Sequence, residues 1–317
     1  MRFHVLLPFR DEADIIGQCL KDLLRWADTV YAFDTGSVDD GWEIVEAVAS
    51  RDRRVKLLGR EPVYFSEARL RGWLFHRARR HMRDGDWFLR ADADEIHHIP
   101  PPEFVRDRLR RHETVVYHQY YDFRLRQSDV VAWETGAETI ADRQRPIDQR
   151  RRWFMPNAYS EPRLCRYRET MRWPATVSFP FNAGYLARER LPIRHYPHRD
   201  PLQLQRRCQL RAVMMADSEN SANWSHPERH HWSETDWRRF VVADDAPGLT
   251  YWTPGADLPE VRYTNHLSPL PVRALQRAVH AVALPIVDRI RAQASDADYP
   301  QKIPSDVTRR LEQVLRE

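Results

Sequence analysis

Short apolar runs alternate with stretches of helical periodicity over the first hundred residues of the chain. The apolar runs predict buried strands at residues 3–7, 29–33, 54–58 and 87–89. Between them, apolar positions recur every three to four residues and predict helices over 15–24, 42–48 and 65–83. Strands that alternate with helices are typical of a parallel sheet covered on both faces. The pattern therefore predicts an α/β fold with a mostly parallel sheet flanked by helices.

Carboxylates follow three of the four predicted strands. They are Asp11, Glu12, Asp34, Asp39, Asp92 and Asp94. The carboxyl ends of parallel strands meet at one edge of a sheet, which is where open α/β sheets bind ligands. The first three strand-end loops lack both a Gly-x-Gly-x-x-Gly pattern and a phosphate loop with Gly-Lys-Ser/Thr. The sequence therefore disfavours a dinucleotide-dependent dehydrogenase and a phosphate-loop nucleotide hydrolase.

The fourth strand delivers three carboxylates within four residues, Asp92, Asp94 and Glu95. On an extended backbone, Asp92 and Asp94 would share a face while Ala93 points away. Two like charges held so close repel each other, and a divalent cation such as Mg²⁺ or Mn²⁺ relieves that repulsion. An acidic turn that caps a helix is the alternative, because Asp and Glu are favoured at helix starts.

The pattern is less regular after three consecutive prolines at 100–102. It predicts a short helix over 103–111, a strand over 114–123, a charge-rich loop over 135–152, short strands at 163–167 and 171–173, and a helix over 202–215. We expect one α/β domain over residues 1–215 and a C-terminal helical and irregular extension over 216–317.

Two stretches of the extension carry patterns of their own. Trp and His side chains crowd residues 223–252 and predict an aromatic lid. A second metal site is the alternative there, although no metal-ligand spacing matches. Residues 271–294 predict an amphipathic helix, which either packs against the first domain or rests on an anionic membrane surface.

Composition limits the classes of protein to which the chain can belong. A hydrophobic content of 42% in 317 residues is enough for a folded core. The net charge is +4, with acidic and basic residues interspersed, and no nucleic-acid recognition motif stands out. The three cysteines form neither a disulfide framework nor a metal pattern. We expect a cytoplasmic protein that binds no nucleic acid, with peripheral contact at the inner face of the membrane as the alternative.

Four segments appear in a fixed order along the first third of the chain. Residues 7–12 read Leu-Pro-Phe-Arg-Asp-Glu, and residues 33–39 read Phe-Asp-Thr-Gly-Ser-Val-Asp. Ala68-Arg69 opens a helix, and the acidic strand end follows at 92–95. Together they resemble family 2 glycosyltransferases of the GT-A (Rossmann-like) fold, with their Pro-x-x-Asn-Glu, Asp-x-Gly-Ser-x-Asp, Ala-Arg-Asn and Asp-x-Asp segments. Asp11 and Leu70 depart from this pattern, since the family usually has Asn at both places.

The resemblance implies a donor site for a nucleoside diphosphate sugar. The expected donor-binding residues are Pro8, Arg10, Glu12, Asp34, Gly36, Ser37, Asp39, Arg69, Asp92 and Arg199. In this assignment Glu12, Asp34 and Asp39 line the nucleotide pocket, and Arg69 and Arg199 reach phosphates. From the residues alone, a simple turn at 34–39 and a surface ion pair at Arg69 are the alternatives.

The resemblance also implies a Mg²⁺ or Mn²⁺ ion bound by Asp92 and Asp94, with a late histidine as a further ligand. His195 and His198 are both candidates, and we prefer His195. A histidine packed in the Tyr- and Pro-rich turn, without metal, is the alternative. Inverting transfer would need a carboxylate as general base. Our candidates for that base are Glu161, Glu95, Glu169 and Asp200, with Glu161 the first choice.

The sequence thus predicts a metal-dependent, inverting glycosyltransferase that extends a glycan or uses another hydroxyl acceptor, such as a lipid-linked one. A nucleotidyltransferase is the first alternative, although residues 9–14 lack the Gly-rich, Lys-bearing loop that such enzymes usually have. A non-catalytic protein that binds anionic polymers is the second. It leaves the clustered carboxylates unexplained, because they would repel phosphate unless a metal ion were present.

Overall fold

The computed structural model describes residues 1–216, 236–261, 295–296 and 298–316. Within these ranges there are eleven strands and eight α-helices. The strands are β1 (Phe3–Phe9), β2 (Thr29–Asp34), β3 (Val55–Arg60), β4 (Trp87–Arg90), β5 (Glu95–His97), β6 (Glu113–Phe123), β7 (Trp153–Pro156), β8 (Pro162–Arg166), β9 (Tyr185–Leu186), β10 (Leu191–His195) and β11 (Thr250–Tyr251). The helices are α1 (Ile16–Leu23), α2 (Gly41–Ala49), α3 (Arg69–Ala78), α4 (Pro101–Asp107), α5 (Gln127–Glu134), α6 (Ile147–Arg150), α7 (Pro201–Ala216) and α8 (Ser305–Arg316).

One curved sheet joins all of these strands. Its main path runs in the order β11-β7-β6-β8-β4-β1-β2-β3, with β9 and β10 also paired to β6 and with β5 paired to β10. The four strands β3, β2, β1 and β4 are parallel. Beyond them β8 is antiparallel to both of its neighbours, so the sheet as a whole is mixed. The expected α/β fold is confirmed. The parallel strands β1 to β4 are the four strands that the pattern of the first hundred residues predicted.

Strand β1 lies in the middle of the parallel part and is buried along its whole length. Alternate residues belong to different apolar clusters, because successive side chains of a strand point to opposite faces. Val5 and Leu7 lie in the cluster that includes Leu20 of α1, whereas Leu6 lies in the cluster that includes Leu74 of α3. Helices therefore cover both faces, and the polar ends of the strands are left to form a cleft at one edge.

Two local predictions in the second half need correction. Residues 171–173 were expected to form a strand, but the structure has only an isolated bridge there, between Arg172 and Phe181. Trp173 is instead buried, and its indole N–H donates to the carbonyl of Val177 at 3.0 Å. The predicted loop over 135–152 contains a 3₁₀-helix at 140–144 and helix α6. Glu138 fixes this segment by ion pairs to two arginines, at 150 and 151.

The described parts of the C-terminal extension pack against the first 216 residues. Strand β11 pairs with β7, and α8 contacts α7. Trp252 is buried in the core, with its ring centroid 5.6 Å from that of Phe123. Residues 223–235 of the predicted aromatic lid, and the whole predicted helix at 271–294, lie outside the described residues. The boundary near residue 215 stays a prediction. Each helix in the described ranges is too short or too polar to span a lipid bilayer.

Candidate active site

A cavity of about 590 Å³ opens at the carboxyl ends of β1, β2 and β4, and α7 and α8 border its other side. This volume lies within the range of small-molecule sites. The carboxylates that line the cavity are Asp11, Glu12, Asp14, Asp39, Asp40, Glu67, Asp92 and Asp94. The cationic or basic groups that line it are Arg10, Arg143, His195, Arg206, Arg207 and Arg211. Seven of the predicted site residues therefore lie together around this one space, namely Pro8, Arg10, Glu12, Asp39, Asp92, Asp94 and His195.

The loops after β1 and β2 are tied to each other at the mouth of the cavity. Asp11 has a left-handed backbone, with φ at 52°, and its carboxylate accepts from the backbone N–H of Val38 at 2.8 Å. Asp39 in turn accepts from the backbone N–H of Ala13 at 2.9 Å. Burial raises the pKa of Asp39 to about 6, although this hydrogen bond opposes the shift. The side chain of Asp39 is therefore fixed at the cavity surface by the hydrogen bond from Ala13.

Asp34 does not border this cavity. Its Oδ1 accepts from the backbone N–H groups of Gly36 and Ser37, at 2.9 and 2.7 Å, and from the Ser37 hydroxyl at 2.8 Å. Gly36 has φ at +100°, and a Cβ there would lie 2.8 Å from Cα of Pro62. The structure therefore assigns Asp34 to holding the loop. Gly36 and Ser37 border a smaller second cavity, which Arg10 also lines and which Asp92 and Asp94 do not.

Asp92 and Asp94 lie in a turn rather than on an extended strand, which corrects the predicted geometry. Strand β4 ends at Arg90, and the backbone N–H of Glu95 donates back to the carbonyl of Asp92 at 3.2 Å. The two carboxylates line the same cavity but have different partners. Asp92 contacts Arg71 at 2.5 Å and Arg163 at 2.9 Å. Asp94 contacts Arg207 at 3.2 Å and lies 3.6 Å from His195 Nε2.

His195 stands between two carboxylates. Its Nδ1 donates to Asp122 Oδ1 at 2.8 Å, and its Nε2 faces Asp94. Burial lowers the pKa of His195, but the two carboxylates outweigh burial and raise it to about 10. Asp122 is held in turn, because it accepts from the side-chain amide of Asn157 at 2.8 Å. His198 does not border the cavity; it is buried with its ring 5.4 Å from that of Phe240.

The donor set around His195 fits a divalent cation. A histidine ligand usually donates its second ring N–H to a carboxylate, which fixes the ring. A metal ion at the other nitrogen would displace the proton that the two carboxylates otherwise keep there. Asp122 has that position relative to His195, and Asp94 supplies a hard oxygen beside Nε2. Among the described residues no three His, Cys, Asp or Glu side chains are grouped as a metal site. Asp92 is directed to arginines, so the structure supports two protein ligands, and Mg²⁺ or Mn²⁺ would take its remaining ligands from water and phosphate.

Arg163 contacts three of the predicted site residues, Asp92, Glu95 and Glu161. Its Nη2 lies 2.9 Å from Asp92, 3.4 Å from Glu95 and 2.5 Å from Glu161. Burial raises the pKa of Glu95 to about 7, although Arg163 pulls it down. Neither Glu95 nor Glu161 lines the cavity. The two other predicted bases serve elsewhere: Glu169 lies near a surface pocket, and Asp200 pairs with arginines at the start of α7.

The two arginines expected at phosphates are placed differently from the expectation. Arg69 is exposed at the first residue of α3 and does not border the cavity. Two residues correspond to about 200° of helix rotation, so Arg71 points the other way and reaches Asp92. Arg199 is fully buried and contacts Glu12 at 2.5 Å and Asp14 at 2.6 Å. It positions these carboxylates and does not line the cavity.

Sequence reasoning did not identify the cavity face of α7. Its residues at the cavity are Gln203, Arg206, Arg207, Leu210, Arg211 and Met214. They recur at spacings of three and four residues, which is the spacing of one helix face. That periodicity was the available signal, but it predicted only a helix because nothing local says which face meets the strand ends. Arg71, Arg163 and Asp122 were missed for the same reason.

The chain is similar to a known protein family and to several solved structures. The family model described as glycosyl transferase family 2 matches residues 4–179 of the 317. A search of curated proteins finds no match. Among solved structures, a mycobacterial protein is 23% identical over 38% of this chain and 41% of its own, with a TM-score of 0.28.

Two glycosyltransferases of known structure are also similar to the chain. A mannosyltransferase from Pyrobaculum calidifontis, in complex with GDP-Man and Mn²⁺, is 12% identical over 99% of this chain and 86% of its own, with a TM-score of 0.36. A glucosyl-3-phosphoglycerate synthase from Mycobacterium tuberculosis, in complex with Mn²⁺, UDP and phosphoglyceric acid, is 21% identical over 43% of this chain and 48% of its own, with a TM-score of 0.25. The chain thus spans less than half the length of the mycobacterial protein and of the synthase.

Proposed function

The chain belongs to glycosyl transferase family 2, and we propose that it transfers a sugar from a nucleoside diphosphate sugar to a hydroxyl group of a glycan or lipid-linked acceptor. The observation that carries this proposal is that Asp94 and His195, the latter held by Asp122, lie together in a cavity that Glu12 and Asp39 also line. Such a set suits a donor that carries a ribose, a base and a diphosphate. A cytoplasmic enzyme is the expectation that goes with it.

The residues of this chain have separate tasks in the proposed reaction. Asp94 and His195 would hold Mg²⁺ or Mn²⁺, which when bound supplies positive charge for the departing diphosphate. Asp122 fixes the ring of His195 by its hydrogen bond at 2.8 Å. Asp39, at the cavity surface, is placed to accept from donor hydroxyl or base N–H groups. Arg207, 3.2 Å from Asp94, adds a cation beside the same edge.

Inverting transfer also needs a group that takes the proton of the acceptor hydroxyl. We retain Glu161 as the candidate base in preference to Glu95. Glu161 is 9% exposed, and it accepts at 3.2 Å from the hydroxyl of Tyr159, which is itself 50% exposed. Glu95 is 1% exposed and is enclosed by the sheet. In this proposal Glu95 and Arg163 position Asp92.

A panel of nucleotide sugars with uridine, guanosine, cytidine and thymidine carriers, each incubated with Mn²⁺ or Mg²⁺, tests the proposal. Release of the nucleoside diphosphate and free sugar from one donor is expected, because water replaces the acceptor slowly in such sites. A nucleotidyltransferase would instead release pyrophosphate from a nucleoside triphosphate. A polymer-binding protein would give neither product and would retain its binding when Asp94 is changed to Asn. Absence of donor turnover across the whole panel, with correctly folded protein, would overturn the glycosyltransferase proposal.

A further inference from the structure

The C-terminal strap, residues 298–314, is attached to the segment that follows β3. The backbone N–H of Ile303 donates to the carbonyl of Pro62 at 2.9 Å, and the N–H of Tyr64 donates to the carbonyl of Gln301 at 2.9 Å. These bonds add a short antiparallel pairing next to the sheet. The segment beside the cavity therefore has a partner from the far end of the chain.

Helix α8 continues this attachment through an apolar core. Ile303, Val307 and Leu311 are buried in one cluster with Tyr64. Three residues of α7 pack against that cluster, namely Leu210, Val213 and Met214. The strap thus joins two elements that both border the main cavity, the segment after β3 and helix α7.

One end of the otherwise charged cavity is apolar, and the strap backs it. The apolar residues at this end are Val63, Phe65, Leu210, Met214 and Leu311. Val63 and Leu311 are almost fully buried, so they support the wall, whereas Phe65, Leu210 and Met214 are partly exposed and form its surface. The backbone N–H of Val63 lies 3.4 Å from the carbonyl of Thr35, which also lines the cavity. The apolar end therefore adjoins the 34–39 loop.

We propose that the strap shapes the part of the donor site that receives the base of the nucleotide. This inference rests on the proposed function. A nucleoside diphosphate sugar consists of a base, a ribose, a diphosphate and a sugar, and of these only the base is a planar aromatic ring. Phe65, whose ring centroid lies 5.4 Å from the Arg71 guanidinium carbon, offers an aromatic surface on which a base can stack. The diphosphate belongs beside Asp94 and His195, which border the same cavity. Leu311 is then a positioning residue, because it acts through the wall residues rather than by touching the base.

Binding of nucleoside diphosphate and of pyrophosphate, each with Mn²⁺, separates the two ends of the cavity. Calorimetry with UDP, GDP and inorganic pyrophosphate is run on the wild type, Leu311→Ala, Met214→Ala and Arg310→Ala. Arg310 lies on the exposed side of α8 and is the matched control. Leu311→Ala and Met214→Ala should weaken binding of the preferred nucleoside diphosphate by about 10-fold, since a lost apolar contact in a pocket has an effect of that order. Pyrophosphate affinity should stay within about twofold of the wild-type value.

The outcomes are distinct. Unchanged nucleoside diphosphate affinity in both cavity variants, or an equal loss for pyrophosphate, would overturn the role of the strap while leaving the proposed function intact. Should Leu311→Ala lose its circular dichroism signal, Met214→Ala decides, because its side chain is only partly buried. A wild type that binds neither UDP nor GDP with Mn²⁺, yet is folded, would count against the proposed function itself.

Discussion

The Nδ1 atom of His195 lies 2.8 Å from Oδ1 of Asp122, and this contact turns the other ring nitrogen towards Asp94. The two residues belong to neighbouring parallel strands, β10 and β6, which pair with His195 opposite Asp122. The sheet register therefore fixes the orientation of the ring. A histidine oriented in this way can serve as a metal ligand without further rearrangement of the backbone.

Replacing Asp122 by Ala should weaken Mn²⁺ binding by about 10- to 100-fold, because the ring of His195 loses the partner that fixes it. Titration of Mn²⁺ followed by electron paramagnetic resonance measures this affinity directly. Donor turnover should recover at high Mn²⁺ concentration, since Asp122 is expected to act through His195. Asp122→Asn keeps an acceptor oxygen and should show a smaller loss. Equal Mn²⁺ affinity in the wild type and Asp122→Ala would contradict this role.

Asp94 and Asp92 should differ in their effect on metal binding, although both belong to the predicted motif. Asp94 lies beside His195 Nε2, whereas both oxygens of Asp92 are engaged by Arg71 and Arg163. Asp94→Asn should lower Mn²⁺-dependent donor turnover by about 100-fold or more, which corresponds to about 2.7 kcal/mol of transition-state stabilisation. Asp92→Asn should leave Mn²⁺ affinity within about threefold of the wild-type value.

The exposed Asp107 of α4, paired only with its neighbour Arg106 on the surface, provides the control for these changes. Asp107→Asn should leave metal affinity and turnover unaltered, because an exposed pair contributes little. The measurements are Mn²⁺ titration and steady-state kinetics with a single donor. Equal losses of Mn²⁺ affinity in Asp92→Asn and Asp94→Asn would show that both carboxylates hold the metal.

The first four strands were predictable because their signal is local. A buried parallel strand appears as a short apolar run, and the helices between the strands show their own period within about ten residues. The second half depends on pairings between distant segments. Val115 pairs with Cys165 and Leu191 with His118, and no short window of the sequence specifies either contact. The antiparallel strands that make the sheet mixed could therefore be predicted as strands but not placed.

The residues of the candidate site likewise divide into those with a local sequence signal and those placed by pairings between distant segments. Glu12, Asp39 and Asp94 were predictable because they follow strands, and strand ends define the edge of the sheet. Arg163 and Asp122 come from β8 and β6, whose positions depend on the distant pairings, so their roles needed the structure. Arg69 was selected by resemblance, and the helix rotation brought Arg71 to Asp92 instead. The ion pair between Arg199 and Glu12 also joins distant segments of the chain, so it could not be predicted from the local sequence either.

Arg163→Met should lower the free energy of unfolding by about 3–5 kcal/mol, the range found when one partner of a buried charge pair is removed. Three carboxylates meet at its Nη2, and Arg163 is only 6% exposed. Arg163→Lys keeps the positive charge, but an ammonium group lacks the planar set of donors with which the guanidinium contacts all three carboxylates. Its free energy of unfolding should therefore fall by less than that of Arg163→Met. Urea unfolding at pH 7 measures both. A loss below about 1 kcal/mol for Arg163→Met would mean that the carboxylates repack or protonate without cost.

Asp200 should stabilise the fold in a pH-dependent way rather than act as a base. It is fully buried, contacts Arg143 at 2.8 Å and Arg150 at 3.4 Å, and accepts from the backbone N–H of Gln203 at 2.9 Å. Burial raises the pKa of Asp200, but Arg143 and these other partners outweigh burial and lower it below its usual value. The stabilisation is therefore present above the unfolded pKa of about 3.9 and is lost as the pH falls through the lower folded value.

Asp200→Asn should accordingly lower the free energy of unfolding by about 3 kcal/mol at pH 7, and the gap to the wild type should narrow as the pH falls below about 4. Urea unfolding at pH 7, 5, 4 and 3 gives the two curves. Asp107→Asn is again the control, because both members of its ion pair are exposed and its unfolding curves should match those of the wild type at each of these pH values. A gap for Asp200→Asn that stays constant down to pH 3 would show that the charge of this carboxylate is not what stabilises the start of α7.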